Sequence, residues 1–185
     1  MQLLEIFKKT GALLDGHFIL RSGLRSRQYF QCALLLQNAK LASEVCGLLA
    51  QKLKDYSYDA LISPAMGGIL VGQEVARHLE ARHIFAEKVE GKLAIRRFEI
   101  KPGERFLILE DVVTTGSAVQ ETLKLVREAG GIPVAVGTIV DRSGNHPPEF
   151  GVPMVSLLQL NVETFSPESL PEDLKLLPAV KPGSR

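Results

Sequence analysis

The sequence predicts an α/β protein in which helices flank a twisted, mainly parallel sheet. Two observations predict it. Short apolar runs alternate with amphipathic stretches between residues 41 and 158, the pattern of βα units whose strands are buried on both faces. The chain is also of single-domain size: with 185 residues, 45% of them apolar, it can bury roughly 70% of the surface its unfolded form exposes.

Taken in order, Leu3–Lys9 predicts a short helix. The glycines and basic residues of the next stretch, GALLDGHFILRSGLRSRQYF, predict turns and short strands. After Leu41, the residues Val45, Leu48 and Leu49 recur at helical spacing. Asp59–Ile62 predicts a strand, Gly68 to about Leu79 a helix, and His83–Glu87 a second strand. Residues 87 to 97, EKVEGKLAIRR, form a hairpin-like loop with Gly91 at its tip. Arg105–Leu109 is the next strand. A helix after Ser117 rests on Val119, Thr122, Leu123 and Val126, and Gly130-Gly131 stops it. Pro133–Val140 and Pro153–Leu158 complete the strands. From Asn161 the tail holds Pro167, Pro171, Pro178 and Pro182, which predicts a short helical piece or loop and a frayed end. No linker is long enough to divide domains, so residues 1–185 are expected to form a single domain.

Composition narrows the function. Twenty-two Lys and Arg against 21 Asp and Glu leave a net charge of +1, too little basic excess for a dedicated nucleic-acid binder. Cys32 and Cys46 are the only cysteines and form no C-x-x-C, so neither a zinc site nor a disulfide framework is expected. Nor do the four histidines, His17, His78, His83 and His146, show metal-ligand spacing. The N-terminus MQLLEIFKKT lacks a basic n-region and a long apolar core, and no window approaches about 18 apolar residues. A soluble cytoplasmic protein is expected, with no membrane or nucleic-acid partner. The charge is unevenly placed: residues 20 to 31 hold Arg21, Arg25 and Arg27 and no acid, and residues 82 to 105 hold seven basic residues against four Glu.

The segment RFLILEDVVTTGSAVQETLKLV carries the chemistry. An apolar strand runs into Glu110-Asp111, then into a Thr/Gly/Ser loop, then into an amphipathic helix. Ligands bind at the carboxyl ends of strands in an open parallel sheet, where Thr114, Thr115, Gly116 and Ser117 offer hydroxyls and backbone N–H groups at a helix N-terminus. A phosphate suits that loop. The two acids would repel it, unless the ligand also carries a vicinal diol whose hydroxyls donate to carboxylates. A sugar phosphate satisfies both.

This segment resembles the phosphoribosyl diphosphate motif of the type I phosphoribosyltransferases. GALLDGHFILRSGLRSRQYFQCALLL, SPAMGGI, FAEKVEGKLAIRRF, LEDVVTTGSA and VDRSG resemble, in order, segments of the orotate branch of that family, and together they cover residues 11 to about 144. The resemblance implies that family's α/β fold, with a small hood made from residues 1–35 and the C-terminal segment. It also implies Mg²⁺-dependent transfer of ribose 5-phosphate from phosphoribosyl diphosphate to orotate, in a homodimer with shared active sites. The Mg²⁺ is held through the diphosphate, with no ligand directly from the protein. By match to the motif, Glu110 and Asp111 hold the ribose hydroxyls, and Val112, Val113 and Thr114 to Ala118 complete the segment around the 5′-phosphate. Thr114 and Arg142 meet orotate, and a guanidinium pairs well with a planar carboxylate. Tyr29 and Phe30 stand beside the pyrimidine, Arg21 near the diphosphate, and Ser63–Ile69, with Pro64 and Gly67-Gly68, turns tightly beneath the diphosphate. The loop at 88–97 is mobile in that family, closes over the neighbouring subunit's site and brings Lys88 or Lys92 to the diphosphate.

The chain departs from the family's pattern at three places. Ala118 stands where the motif generally has Ser or Thr, Met66-Gly67 where some members have Tyr-Lys, and the loop has no histidine. Two other readings stay open: an enzyme of the same superfamily for a purine base, and a non-catalytic sensor of phosphoribosyl diphosphate.

Overall fold

The structure, a computed structural model, describes residues 3–20, 23–144 and 147–181. Arg21 lies outside the described residues. In chain order the elements are α1 (Leu3–Lys9), β1 (Leu13–Ile19), β2 (Arg25–Phe30), α2 (Ala33–Leu36), α3 (Ala39–Leu53), β3 (Ala60–Pro64), α4 (Gly67–Leu79), β4 (Arg82–Val89), β5 (Lys92–Ala94), β6 (Arg105–Val113), α5 (Ser117–Glu128), β7 (Ile132–Asp141), β8 (Met154–Gln159), β9 (Thr164–Phe165), α6 (Glu172–Lys175) and β10 (Ala179–Val180). They group into two compact units, one from the first 35 residues with the segment from Asn161 onward, the other from Leu36 to Leu160.

The larger unit is a six-stranded sheet in the order β5-β4-β3-β6-β7-β8, parallel throughout except for β5, which runs antiparallel to β4. Its helices start and stop for local reasons. The Asn38 side chain accepts the Leu41 N–H at 3.2 Å and caps α3. At the end of α5, Gly130 adopts φ 83° and lets the Gly131 N–H reach the Val126 carbonyl at 2.8 Å. On one face of the sheet, Val119, Leu123 and Val126 of α5 pack with Ala60, Ile62, Ile84, Phe106, Ile108 and Val136. On the other, Gly72 of α4 lies against Ser63 and His83, and Gly137 of β7 against Leu53 of α3.

The predicted strands are present, and β6 is longer than expected. Its pairing with β7 runs on to Val113 opposite Asp141, so Glu110 and Asp111, expected just past the strand's end, belong to the sheet. Backbone pairing with a neighbour outweighs the low strand propensity of acids.

The smaller unit is a four-stranded sheet, β10-β1-β2-β9. The tail differs from the expectation of a helical piece or loop: besides α6 it supplies β9, paired with β2, and β10, paired with β1. Strands of two residues carry no readable period, and their partners lie at the other end of the chain. Phe7, Leu13, Phe30 and Leu35 are buried in this unit.

Candidate active site

In the larger sheet the chain leaves β3 through α4 to β4 on one side, and leaves β6 through α5 to β7 on the other. The winding therefore reverses between β3 and β6, and the crevice at their carboxyl ends is where such sheets bind ligands. The turn after β3 and the acids of β6 meet there. A Cβ on Gly68 would lie 2.9 Å from the Leu109 carbonyl oxygen and 3.0 Å from Glu110 Oε1, and one on Gly67 would lie 2.6 Å from Asp111 Cγ. Only glycine lets the two segments approach this closely.

Glu110 is 9% exposed. Its Oε1 accepts the Asp111 N–H at 3.0 Å, and Asp111 Oδ1 accepts the Val112 N–H at 2.8 Å. Burial, reinforced by the negative charge of Asp111, pushes the Glu110 carboxyl well above the usual range. Beyond Val113, the residues Thr114 to Ala118 line a cavity of about 70 Å³ at the N-terminus of α5. Gly116 takes φ 74° there, and a Cβ on it would lie 2.8 Å from both Phe150 and Pro148. The Thr115 hydroxyl lies 3.1 Å from that of Ser117 and accepts the Ser117 N–H at 3.4 Å. Thr114, Thr115 and Ser117 are exposed. The remaining N–H groups of the first turn have no partner within the helix and attract an anion.

Arg142 leaves β7 beside this loop. Val113 and Asp141 are the last paired residues of β6 and β7, and the Arg142 N–H donates to the Val113 carbonyl at 2.7 Å. Thr114 and Arg142 thus emerge from the sheet side by side. The buried Asp141 carboxylate accepts the Ser143 N–H at 2.9 Å and its hydroxyl at 2.6 Å, which shapes the turn that follows Arg142.

Residues 88–97 contain a two-residue hairpin. Val89 pairs with Lys92 across Glu90 (φ 51°) and Gly91 (φ 84°), both left-handed as a tight turn of this hand requires. Lys88 pairs with Leu93, so Lys88 and Lys92 project from opposite faces of the ribbon. Both are exposed. Glu121 of α5 accepts the Leu93 N–H at 2.6 Å. Of the basic residues between 82 and 105, Arg82 pairs with Glu104, Arg97 with Glu87 and Arg105 with Asp59. Among the described residues, Lys88, Lys92, Arg96 and Lys101 make no ion pair and keep their charge for solvent or a ligand.

Tyr29 and Phe30 belong to the smaller unit. Neighbours on a strand face opposite ways, and only Tyr29 is partly exposed, tilted against Phe18 with centroids 5.6 Å apart. Phe30 is 6% exposed and packs edge-on against Phe7 at 5.1 Å. The Tyr-Phe pair therefore offers one accessible ring, not two. The same unit has an open cavity of about 470 Å³, on whose rim Arg27 pairs with Asp173 at 3.0 Å and Asp15 with Lys8 at 3.3 Å, while Glu163 makes no ion pair among the described residues.

Residues 33–170 match the phosphoribosyl transferase domain family. The orotate phosphoribosyltransferase of Desulforamulus reducens is 47% identical over 185 residues, 100% of this chain and 96% of that protein. The chain belongs to the orotate phosphoribosyltransferase family. Another member, from Thermotoga maritima, is 47% identical over 98% of this chain and 97% of that protein. Among solved structures, the orotate phosphoribosyltransferase from Aeropyrum pernix superposes with a TM-score of 0.73 at 28% identity, covering 86% of this chain and 94% of that one. The adenine phosphoribosyltransferase from Thermoanaerobacter pseudethanolicus shares the fold alone, at a TM-score of 0.63 and 20% identity over 72% of this chain and 88% of that one.

For this orotate phosphoribosyltransferase-family chain, sequence reasoning singled out the acids, the Thr/Gly loop, Arg142 and the turn at Ser63–Ile69. It missed Phe150 and Pro148, which lie against Gly116, and the buried Asp141. The one hint was an aromatic residue amid HPPEFGVP, where turn residues leave a lone Phe little reason but packing.

Proposed function

We propose that the protein transfers ribose 5-phosphate from phosphoribosyl diphosphate to N1 of orotate, giving orotidine 5′-phosphate and pyrophosphate, a step of pyrimidine nucleotide synthesis. The observation that carries this reading is the pairing of β6 with β7, which sets the Glu110-Asp111 pair, the Thr114–Ala118 loop and Arg142 around the end of one strand pair. Glu110 and Asp111 accept hydrogen bonds from the ribose hydroxyls. The N–H groups and hydroxyls of Thr114 to Ala118 hold the 5′-phosphate, with Ser117 serving where Ala118 has no hydroxyl. Arg142 pairs with the orotate carboxylate next to Thr114, and Tyr29 supplies the ring face for the pyrimidine, while Phe30 is held in the core against Phe7.

In the reaction, N1 of orotate bonds to the ribose anomeric carbon as the bond from that carbon to the diphosphate oxygen breaks, its electrons leaving with the diphosphate. Negative charge builds on the leaving group while the sugar becomes oxocarbenium-like. Cations poised on the diphosphate lower that barrier. Lys88 or Lys92 supplies one on closure of a mobile hairpin, as does Arg21, and the closed hairpin keeps water from the sugar. Because Lys88 and Lys92 face opposite ways, one of them contacts the diphosphate and the other does not.

The residues fit Mg²⁺ carried on the substrate. Asp111 presents hard oxygen donors at the sugar end, where Mg²⁺ carried on the diphosphate would sit nearby. When bound, Mg²⁺ supplies positive charge to the departing diphosphate. The active form is a homodimer sharing sites through the hairpins, a reading supported by half-exposed Leu48 on α3 and Leu70 on α4, and the smaller unit serves as the hood. The enzyme works in the cytoplasm on soluble substrates; among the described residues no helix is long and apolar enough to cross a membrane.

The test is to mix purified protein with Mg²⁺, phosphoribosyl diphosphate and orotate and follow the ultraviolet absorbance of orotate. Consumption of orotate is expected. Turnover of adenine or hypoxanthine with orotate untouched overturns the proposal.

A further inference from the structure

Strand β3 delivers the chain into the turn at residues 64–68, and β4 delivers it into the hairpin of Lys88 and Lys92. Between the two strands lies a polar contact that the reaction does not use: Ser63 Oγ is 3.0 Å from His83 Nε2. Ser63 is fully buried. Gly72 of α4 makes room for the pair, since a Cβ there would overlap both Ser63 Oγ and His83 Nε2. Burial holds the His83 pKa down to about 4, so the ring is neutral at neutral pH. The contact lies directly beneath the turn, because a Cβ on Gly68 would come within 3.2 Å of Ser63 Cβ. One step nearer the site, the Ala65 N–H donates to the Ala86 carbonyl at 2.7 Å.

A buried polar pair adds little net stability over an apolar pair of the same shape, so its presence calls for a geometric reason. The backbone supplies one. Parallel pairing of β3 with β4 runs to Pro64 opposite Ala86, and the Ala65 N–H bonded to the Ala86 carbonyl is its last backbone bond. Within that paired stretch, where Leu61 lies opposite His83 and Ser63 opposite Phe85, a side-chain hydrogen bond of fixed direction, sheltered from water, adds a second tie between the strands just before the turn.

We infer that the Ser63–His83 hydrogen bond is a positioning contact that sets the diphosphate-binding turn against β4, and so fixes its spacing from the hairpin for phosphoribosyl diphosphate. Neither residue touches the substrate. The inference rests on the proposed function, with the turn at 64–68 taken as part of the phosphoribosyl diphosphate site because Gly67 and Gly68 lie against Asp111 and Glu110.

The experiment measures KM for each substrate, kcat and melting temperature for Ser63→Ala, His83→Ala, His83→Gln, the Ser63→Ala/His83→Ala double variant and Asp111→Asn. Ser63→Ala should raise KM for phosphoribosyl diphosphate roughly three- to tenfold, the factor one ordinary hydrogen bond represents, and leave KM for orotate unchanged. His83→Ala should match it, while His83→Gln, whose amide reaches as far as Nε2, should restore most of the loss. The double variant should be no worse than His83→Ala, since both changes remove one contact. A lowered melting temperature with both KM values unchanged, or additive effects in the double variant, overturns the inference. Asp111→Asn separates the two levels. If it raises KM for phosphoribosyl diphosphate while Ser63→Ala does not, only the positioning role fails; if it leaves that KM unchanged, the site assignment fails and the inference with it.

Discussion

Replacing Gly67 by alanine tests the site through a single methyl group. The new Cβ would lie 2.6 Å from Asp111 Cγ and 2.8 Å from Oδ1, so something must move. Asp111 is a half-exposed side chain that can rotate, whereas α4 is held through buried Val71 and Val75; the carboxylate therefore turns away. Two opposing effects bear on stability. Alanine is up to about 1 kcal/mol better than glycine in a helix, less so in the first turn, and overpacking costs about 1 to 3 kcal/mol, at the low end where a side chain can swing into solvent. The net change should stay within about 1 kcal/mol, or about 2 to 4 °C in Tm for a chain of this length. Function should suffer more. Loss of one hydrogen bond from a ribose hydroxyl to a charged acceptor costs about 1.5 to 3 kcal/mol, which is roughly a 10- to 150-fold fall in kcat/KM for phosphoribosyl diphosphate. Initial rates at varied phosphoribosyl diphosphate and saturating orotate, together with a thermal melt, measure both. An unchanged kcat/KM refutes the role given to Asp111, and a loss of more than about 10 °C would mean that the helix, not the carboxylate, gave way.

Three further outcomes follow from the charges. Glu110 has a carboxyl pKa raised above its unfolded value by burial and by Asp111, so its contribution to stability is present below the unfolded pKa and lost as pH rises. Glu110→Gln should therefore gain stability relative to the parent between pH 5 and pH 8 while losing turnover, and urea midpoints showing a pH-independent difference would contradict this. His83 runs the other way along the pH axis: its pKa is lowered from 6.5 to about 4, so the unfolded chain takes up a proton that the folded one resists, and stability falls as pH drops from 6.5 toward 4. The loss is at most about 3 kcal/mol, reduced by the partial exposure of the ring, and His83→Gln should lack that component of the pH profile. Arg142→Ala should raise KM for orotate roughly 10- to 150-fold, the range for a hydrogen bond to a charged group, with KM for phosphoribosyl diphosphate nearly unchanged; equal weakening of both substrates would remove Arg142 from orotate recognition.

The residues legible in the sequence share one property, which is that their meaning is local. Glu110 through Ser117 form strand end, loop and helix start within one contiguous run, so the order acid, acid, Thr, Thr, Gly states its chemistry without knowledge of distant partners. The same holds for the apolar periods that predicted β3, β4, β6, β7 and β8 and the helices between them. The net charge of +1 concealed two basic segments, and the structure divides the second further: Arg82, Arg97 and Arg105 are spent on ion pairs, while Lys88 and Lys92 remain exposed.

Tertiary structure decided what depends on register and on long-range pairing. Lys88 and Lys92 look equivalent in the sequence, yet the pairing of Val89 with Lys92 puts them on opposite faces of a ribbon. Tyr29 and Phe30 look like a pair until strand alternation buries one of them. The tail became two strands because β1 and β2 offered unpaired edges. The placement of β3 between β4 and β6 brings Gly67 against Asp111 and Ser63 against His83. A periodic pattern states which face of an element is apolar, but many pairings satisfy that pattern equally. Only the packed sheet, with its one register and its hydrogen bonds satisfied, selects which residues meet.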